Sequence, residues 1–493
     1  MKRNAGKYAL LALAGLAAWP VNTLAARMGT AGQNALCAVV LAAWVAGVFV
    51  WKRKNRSASF AGSIAALGFA LGLIFVIKLP HSFSMHDLAG YELYSDGHLG
   101  FIAYLVQKGA LPLDNPMDPG CSVFYNPPLH HLIHACFLKL NLAFGASLET
   151  GLENLQLITL VCASACTLLT IDLMRLLKVK ERGVETGALF MAAQPSLLIF
   201  GATVNNDIQS VMFVLAALLF TVRWHRTRRM RDILCIGVTL GCAMATKLST
   251  ALIIPCIAAV FAVAFFQNLR SWKTYVGQFA AFLAVSVPEA VAWPLFHLIA
   301  YQMPLNYVRL PSELILLDRY TFWQRFGIPN HAAIRGLFYS GIRKIDHNVW
   351  MQTLKTAMFD ELTLFAEGTV QWYAAYFTMV LFAALLVLAL AMGIRWLLSK
   401  RADGMTRLFI AGYAVILIGQ YLLFCQQYPY VCSFNFRYIM PVLSLCAFML
   451  GDAVSSLKRG KWLITLPVAA FAVLVIVLYG TYFFGNSLYA FGV

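Results

Sequence analysis

The sequence predicts an all-α polytopic membrane protein with about thirteen transmembrane helices. Three observations carry that expectation. Of its 493 residues, 60% are hydrophobic and 12% charged, with a mean hydropathy of +0.72, whereas soluble domains hold about 45–50% apolar and about 25% charged residues. Apolar runs of near-spanning length recur along the whole chain. Short basic clusters punctuate those runs. The composition excludes a soluble enzyme, a disordered chain and a fibre, and the lack of short alternating segments excludes a transmembrane barrel.

The basic clusters fix the expected topology. They are Lys2, Arg3 and Lys7; Lys52, Arg53, Lys54 and Arg56; Arg175, Lys178, Lys180 and Arg182; Arg223, Arg226, Arg228, Arg229 and Arg231; Arg270 and Lys273; Arg395, Lys400, Arg401 and Arg407; and Lys458, Arg459 and Lys461. The positive-inside rule places all seven in the cytoplasm. The spans that fit are 8–26, 33–51, 59–79, 153–175, 184–202, 207–223, 232–247, 249–268, 274–302, 370–395, 406–425, 438–457 and 462–484. The amino terminus is then inside and the carboxy terminus outside, with 485–493 as an exterior tail. Span 232–247 is short, so it is expected to be tilted, buried or in a thinned bilayer. Lys2-Arg3 before 8–26 also suits a signal peptide, but no clean A-x-A site follows.

The same topology accounts for the net charge of +17, from 38 Lys+Arg against 21 Asp+Glu, so no nucleic-acid partner is expected. The 11 cysteines fall mostly in apolar runs and form no CxxC or CxxCH spacing, which suits small buried hydrophobes.

Two long loops fall on the exterior side, about 80–127, continuing into an amphipathic stretch 128–146, and about 303–369. Loops of this length are usually functional. In the first, Ser84-Met85-His86-Asp87, Tyr91-Glu92 and Asp96-Gly97-His98 collect three carboxylates and two imidazoles just after a spanning helix. A carboxylate there can serve as a general base; an ordinary solvated loop has the same look. Asp87, Glu92 and Asp96 are the catalytic candidates, and His86 and His98 are set among the substrate-binding ones.

Phe124-Tyr125-Asn126-Pro127-Pro128-Leu129-His130-His131 starts a helix, since proline fits the first turn. His130 and His134 share one helical face and could share a metal, but no HExxH glutamate or neighbouring Cys supports that. An interfacial helix with polar handles is the expectation, with Tyr125, Asn126, His130 and His131 as substrate contacts. In Thr203-Val204-Asn205-Asn206-Asp207, Asn206 or Asp207 suits a helix cap. Lys247, in Thr246-Lys247-Leu248, stands near membrane depth, where a lysine usually has a partner or ligand. Arg437, in Phe434-Asn435-Phe436-Arg437-Tyr438, can grip a phosphate or carboxylate with two hydrogen bonds. For Lys247 and Arg437 the plain alternative is snorkelling. Asn206, Asp207, Lys247, Lys355 of the second loop, Arg437 and Tyr438 complete the binding candidates. No metal ligand set is assigned.

These motifs, in this order and on one membrane face, resemble the GT-C superfamily of integral-membrane glycosyltransferases, nearest the protein O-mannosyltransferase and aminoarabinose-transferase branch. The resemblance covers roughly 59–460, so 59–484 reads as the catalytic domain and 1–58 as an added transmembrane hairpin. It implies a sugar donor linked to polyprenyl phosphate, with its tail in the bilayer, and an acceptor on protein, lipid or glycan. It implies that Asp87 is the base, that transfer inverts the anomeric carbon, and that Lys247 and Arg437 hold the departing phosphate. The family's first-loop acid is often paired with a second acid, whereas Asp87 is flanked by His86 and Leu88. No cofactor is required, and a divalent metal is left open. The resemblance also implies that Cys121 and Cys432 lie around one cavity, where a disulfide could join them. The rival readings are a lipid-linked-substrate transporter or flippase, which would concentrate charge at mid-membrane, and an O-antigen-ligase-like transferase, with its functional loop late in the chain.

Overall fold

The computed structural model describes residues 2–55, 59–82, 88, 90–305, 317–329, 347–360, 362, 364–399 and 401–485. Among the described residues every regular element is helical. The bundle begins with α1 (Lys2–Ala25), α2 (Thr30–Lys54) and α3 (Ala61–Lys78). The first loop carries α4 (His98–Lys108) and α5 (Leu129–Ala143). Then come α6 (Leu148–Leu176), α7 (Glu181–Ala192), α8 (Pro195–Gly201), α9 (Asn206–Thr227), α10 (Met230–Thr246), α11 (Ile254–Gln267) and α12 (Trp272–Tyr301). Short α13 (Phe322–Phe326) and α14 (Val349–Met358) precede α15 (Val370–Leu398), α16 (Gly404–Gln427), α17 (Val442–Ser456) and α18 (Trp462–Phe484).

Among the described residues ten helices are long and apolar enough to cross a membrane, or twelve when each of two bent pairs is one span. This is a multi-pass membrane protein. The expected count of thirteen is not reached, because the short span 232–247 is the 17-residue α10. The two bends have a sequence cause. Pro195 opens α8 and turns it 54° from α7, and Pro441 precedes α17 at a 47° bend; proline cannot continue a helix from the preceding turn. The other ends follow capping chemistry. Ser147 accepts from the Thr150 amide at 3.3 Å to start α6, and Asp403 accepts from the Thr406 amide at 2.8 Å to start α16.

Burial separates centre from rim. In α6 83% of the most apolar window is buried inside the protein and in α9 72%, against 6% in α2 and 22% in α12. α10 packs between α9 and α12, and α17 lies on α7. At that last crossing a methyl on Gly183 or on Gly451 would run into the other's carbonyl. The two helices are therefore in backbone contact, the usual use of small residues between membrane helices. The outer helix α1 is pinned by polar contacts instead. Lys7 and Tyr8 of α1 both bind the Asp172 carboxylate of α6. At the other end of α1, Asn22 donates to Asn154 at 3.1 Å and Trp19 to Asn141 at 2.7 Å. α12 carries Pro288 and Pro294 inside the helix.

Candidate active site

The polar centre lies at the end of the bundle away from the basic clusters, where α9 begins and α10 ends. Asn205, rather than the expected Asn206 or Asp207, caps α9, its side chain accepting from the Asp207 amide at 2.7 Å. Asp207 thereby enters the first turn of α9, where the helix dipole favours a carboxylate. It is 2% exposed. Lys247 is the residue after the last turn of α10, where the dipole favours a cation. Its ammonium is ion-paired with Asp207.

Arg437 arrives from the far end of the sequence on a short 3-10 turn, Phe436–Ile439. That turn is built by Asn435, which accepts from the Arg437 amide at 2.8 Å and donates to Asp360 at 3.3 Å. The Phe436 amide donates to Thr356 of α14 at 2.9 Å, beside the buried Lys355. The Arg437 guanidinium is buried and sits 3.7 Å from the second oxygen of Asp207. It also donates to the Tyr438 hydroxyl at 3.0 Å. The Tyr438 ring faces both cations, 5.0 Å from Arg437 and 5.4 Å from Lys247, a geometry that stabilises positive charge. Asp207, Lys247, Thr250, Tyr413, Arg437 and Tyr438 line a small cavity.

Asp207 and Arg437 are buried and Lys247 is half-buried; burying a charge carries a desolvation penalty of several kcal/mol per ion, which mutual attraction offsets only when the geometry is good. Here one carboxylate holds two cations side by side at the mouth of a cavity. That arrangement presents donors for an anion and keeps them oriented. Asn206 lies behind it, donating to the Thr246 carbonyl at 3.3 Å.

A second group stands behind the first. His98 and His131 share a hydrogen bond at 2.9 Å, Nδ1 to Nε2. The His130 ring is 4.0 Å from that of His134, and His130 bonds Gln209 of α9 at 2.9 Å. Phe101 stacks on His131 at 4.1 Å. His130, His131 and His134 are all fully buried. α5 is therefore not an interfacial helix presenting polar handles to solvent; its polar face is turned inward. Burial and the neighbouring imidazoles hold His130 and His131 well below the usual histidine range, and burial takes His134 down to about 4. These three imidazoles are neutral at pH 7, and His130 supports the start of α9 through Gln209, two residues from Asp207. Sequence reading missed Gln209; its place in the buried first turns of α9 was the available signal.

The first-loop acids divide. Asp87 and His86 lie outside the described residues. Glu92 is exposed. Asp96 accepts from the Ser122 hydroxyl at 2.6 Å and the Ser122 amide at 3.2 Å, which ties the loop to the turn Ser122–Tyr125. In that turn the Asn126 side chain donates to the Val123 carbonyl at 3.1 Å, and the Tyr125 hydroxyl to the Leu305 carbonyl at 3.3 Å. Asn126 thus has a local structural use. Cys121 is a free thiol, so the expected Cys121–Cys432 bond is not formed; Cys121 is buried among Phe101, Phe124 and Leu138 instead.

Residues 126–293 match the family described as dolichyl-phosphate-mannose-protein mannosyltransferase. This stretch holds α5 to α10 and both Asp207 and Lys247. The match takes in 168 of the 493 residues and lies inside the stretch that carries the sequence resemblance. No curated protein matches the chain. Among solved structures the chain is similar to ArnT from Cupriavidus metallidurans bound to undecaprenyl phosphate, with 14% identity over 85% of this chain and 64% of that one, at a TM-score of 0.47. It is also similar to the archaeal oligosaccharyltransferase AglB from Archaeoglobus fulgidus in complex with an inhibitory peptide and a dolichol-phosphate, with 15% identity over 88% of this chain and 55% of that one, at 0.45. The chain spans less than two thirds of either protein's length.

Proposed function

We propose that the protein transfers a sugar from a polyprenyl-phosphate donor to an acceptor, at the membrane face opposite its basic clusters. By the positive-inside rule that face is exterior, and a bacterial plasma membrane suits it. The observation that carries the reading is the Asp207–Lys247–Arg437 group, its acid and arginine buried, beside its cavity. The donor's tail lies between helices and its phosphate meets Lys247 and Arg437. Asp207 takes no part in bond making; it holds both cations in position. Tyr438, Lys355 and Tyr125 face donor and acceptor, and His86 contacts substrate, while Asn206, His98, His130 and His131 act from behind, through α9 and α10. Asp87 removes the proton of the acceptor's hydroxyl or amine, and the freed lone pair attacks the anomeric carbon from the face opposite the phosphate. The carbon–oxygen bond to phosphate breaks, and the lipid phosphate leaves with the electron pair and inverted sugar stereochemistry results. Its second negative charge appears beside two fixed cations, where it counts most for rate.

The test is Asp87→Asn in membranes with parental protein levels. Loss of a positioned base costs about 10²–10⁴-fold in rate. Transfer at the parental rate removes Asp87 from the mechanism and moves the test to Glu92 and then Asp96. Parental rates in all three reject an acid from this loop.

A further inference from the structure

We propose that His81, Glu149 and Glu153 form a divalent-cation site that fastens the end of α3 to the start of α6. Among the described residues they are the side chains that bring three metal-ligating atoms within 4.8 Å of one another. Glu149 and Glu153 are four residues apart on α6, so their carboxylates share a face. His81 follows the end of α3 and enters from the side. Its Nδ1 lies 2.9 Å from Glu153 Oε1 and 3.6 Å from Glu149 Oε1. A tetrahedral zinc with bonds of about 2.0–2.2 Å sets neighbouring ligand atoms about 3.3–3.6 Å apart, so the ion would draw these atoms by tenths of an ångström. One imidazole and two carboxylates make a donor set suited to zinc or manganese, with a fourth position open to water.

The surroundings are those of a ligand shell. The other oxygen of Glu153 accepts from the His81 amide at 3.0 Å, so carboxylate and imidazole are aimed together. Asn22 of α1 donates to the Glu153 carbonyl at 3.1 Å. His81 is 7% exposed, whereas the Glu149 side chain is 73% exposed and gives the ion its way in. The plainer account pairs His81 closely with Glu153 at 2.9 Å and only loosely with Glu149 at 3.6 Å. The cation uses all three. It would anchor the segment that leads, a few residues later in the sequence, to Asp87.

Glu149→Gln separates the two accounts, because it leaves the His81–Glu153 contact whole. The full chain, purified in detergent and stripped with a chelator, is titrated with zinc chloride; bound metal and thermal midpoint are read. The parent should hold about one zinc more than Glu149→Gln or His81→Asn, with affinity at least about 10–100-fold higher, since even an outer-shell partner is worth that much. Zinc should raise the thermal midpoint of the parent and not of the variants. A parent that takes up no zinc overturns the proposal, and so does a Glu149→Gln protein that binds it as the parent does. Neither readout involves sugar transfer, so the site stands or falls apart from the proposed activity.

Discussion

The hairpin of α9 and α10 is clamped by an ion pair at each end, and the two clamps differ. At the basic end Arg223 meets Asp232 at 2.7 Å, and Asp232, fully buried, also accepts from Thr227. At the other end Asp207 meets Lys247 and Arg437 beside a cavity. Each acid stands in the first turn of its own helix, so the dipole helps both pairs equally. What differs is the company. The Arg223–Asp232 clamp is completed within the hairpin. The Asp207 clamp recruits a cation from another part of the chain and leaves an opening. A hairpin that needed only to be held shut would have two clamps of the first kind.

The largest effect expected from breaking this contrast is that of Asp207→Ala. It strands the buried Arg437 and the half-buried Lys247, and removing one partner of a buried pair costs about 3–5 kcal/mol. Denaturation in detergent should show that loss, and the folded remainder should have lost transfer as well. Acid comes next. With His134 held at about 4, its unfolded form takes up a proton at a higher pH than its folded form. Stability is therefore complete above the unfolded value near 6.5 and falls as pH drops through that window. The slope is at most about 1.4 kcal/mol per pH unit for each buried imidazole. His130 and His131 add in the same direction, and His134→Asn should flatten the thermal midpoint against pH between 6.5 and 4.

Arg437→Lys is a smaller change. It keeps the charge and removes the two-pronged donor, so turnover at saturating donor should fall roughly tenfold, with donor affinity falling less, and Arg437→Ala should fall further. A lysine enzyme as fast as the parent would leave Arg437 as an interfacial anchor. The smallest effect belongs to the other clamp. Asp232→Asn keeps the shape and the Thr227 contact, and should cost about 1–3 kcal/mol with turnover per folded molecule unchanged. A turnover defect there as large as at Arg437 would erase the distinction between the two ends.

The helices were legible because hydropathy acts locally: each expected span has a helix under it, and Ser147, Pro195 and Pro441 mark ends that sequence alone could place. α5 shows where local pattern stops. Its period gives two faces, but His130, His131 and His134 could as well have faced water. Only their partners His98 and Phe101 of α4 and Gln209 of α9, brought from two other segments, make the inward face the stable one. The same holds for the candidate site. Lys247 and Arg437 stood out singly as costly cations, but that both answer to Asp207 depends on contacts between distant parts of the chain. The role of Asn435 was half visible, since an asparagine two residues before an arginine is a ready cap. The break inside 184–202 was missed although Pro195 announced it.

The clip between α1 and α6 also sets a timetable for synthesis. Lys7 and Asp172 are 165 residues apart. At about 5–20 residues per second, α1 is made roughly 8–33 s before its partner carboxylate exists. Through that interval Lys7, Asn22 and Trp19 must be kept by lipid headgroups, by water at the bilayer surface or by the insertion machinery. The arrival of α6 then closes both ends of α1 at once, so assembly of the first three helices is gated by the fourth long one rather than completed in the order of translation.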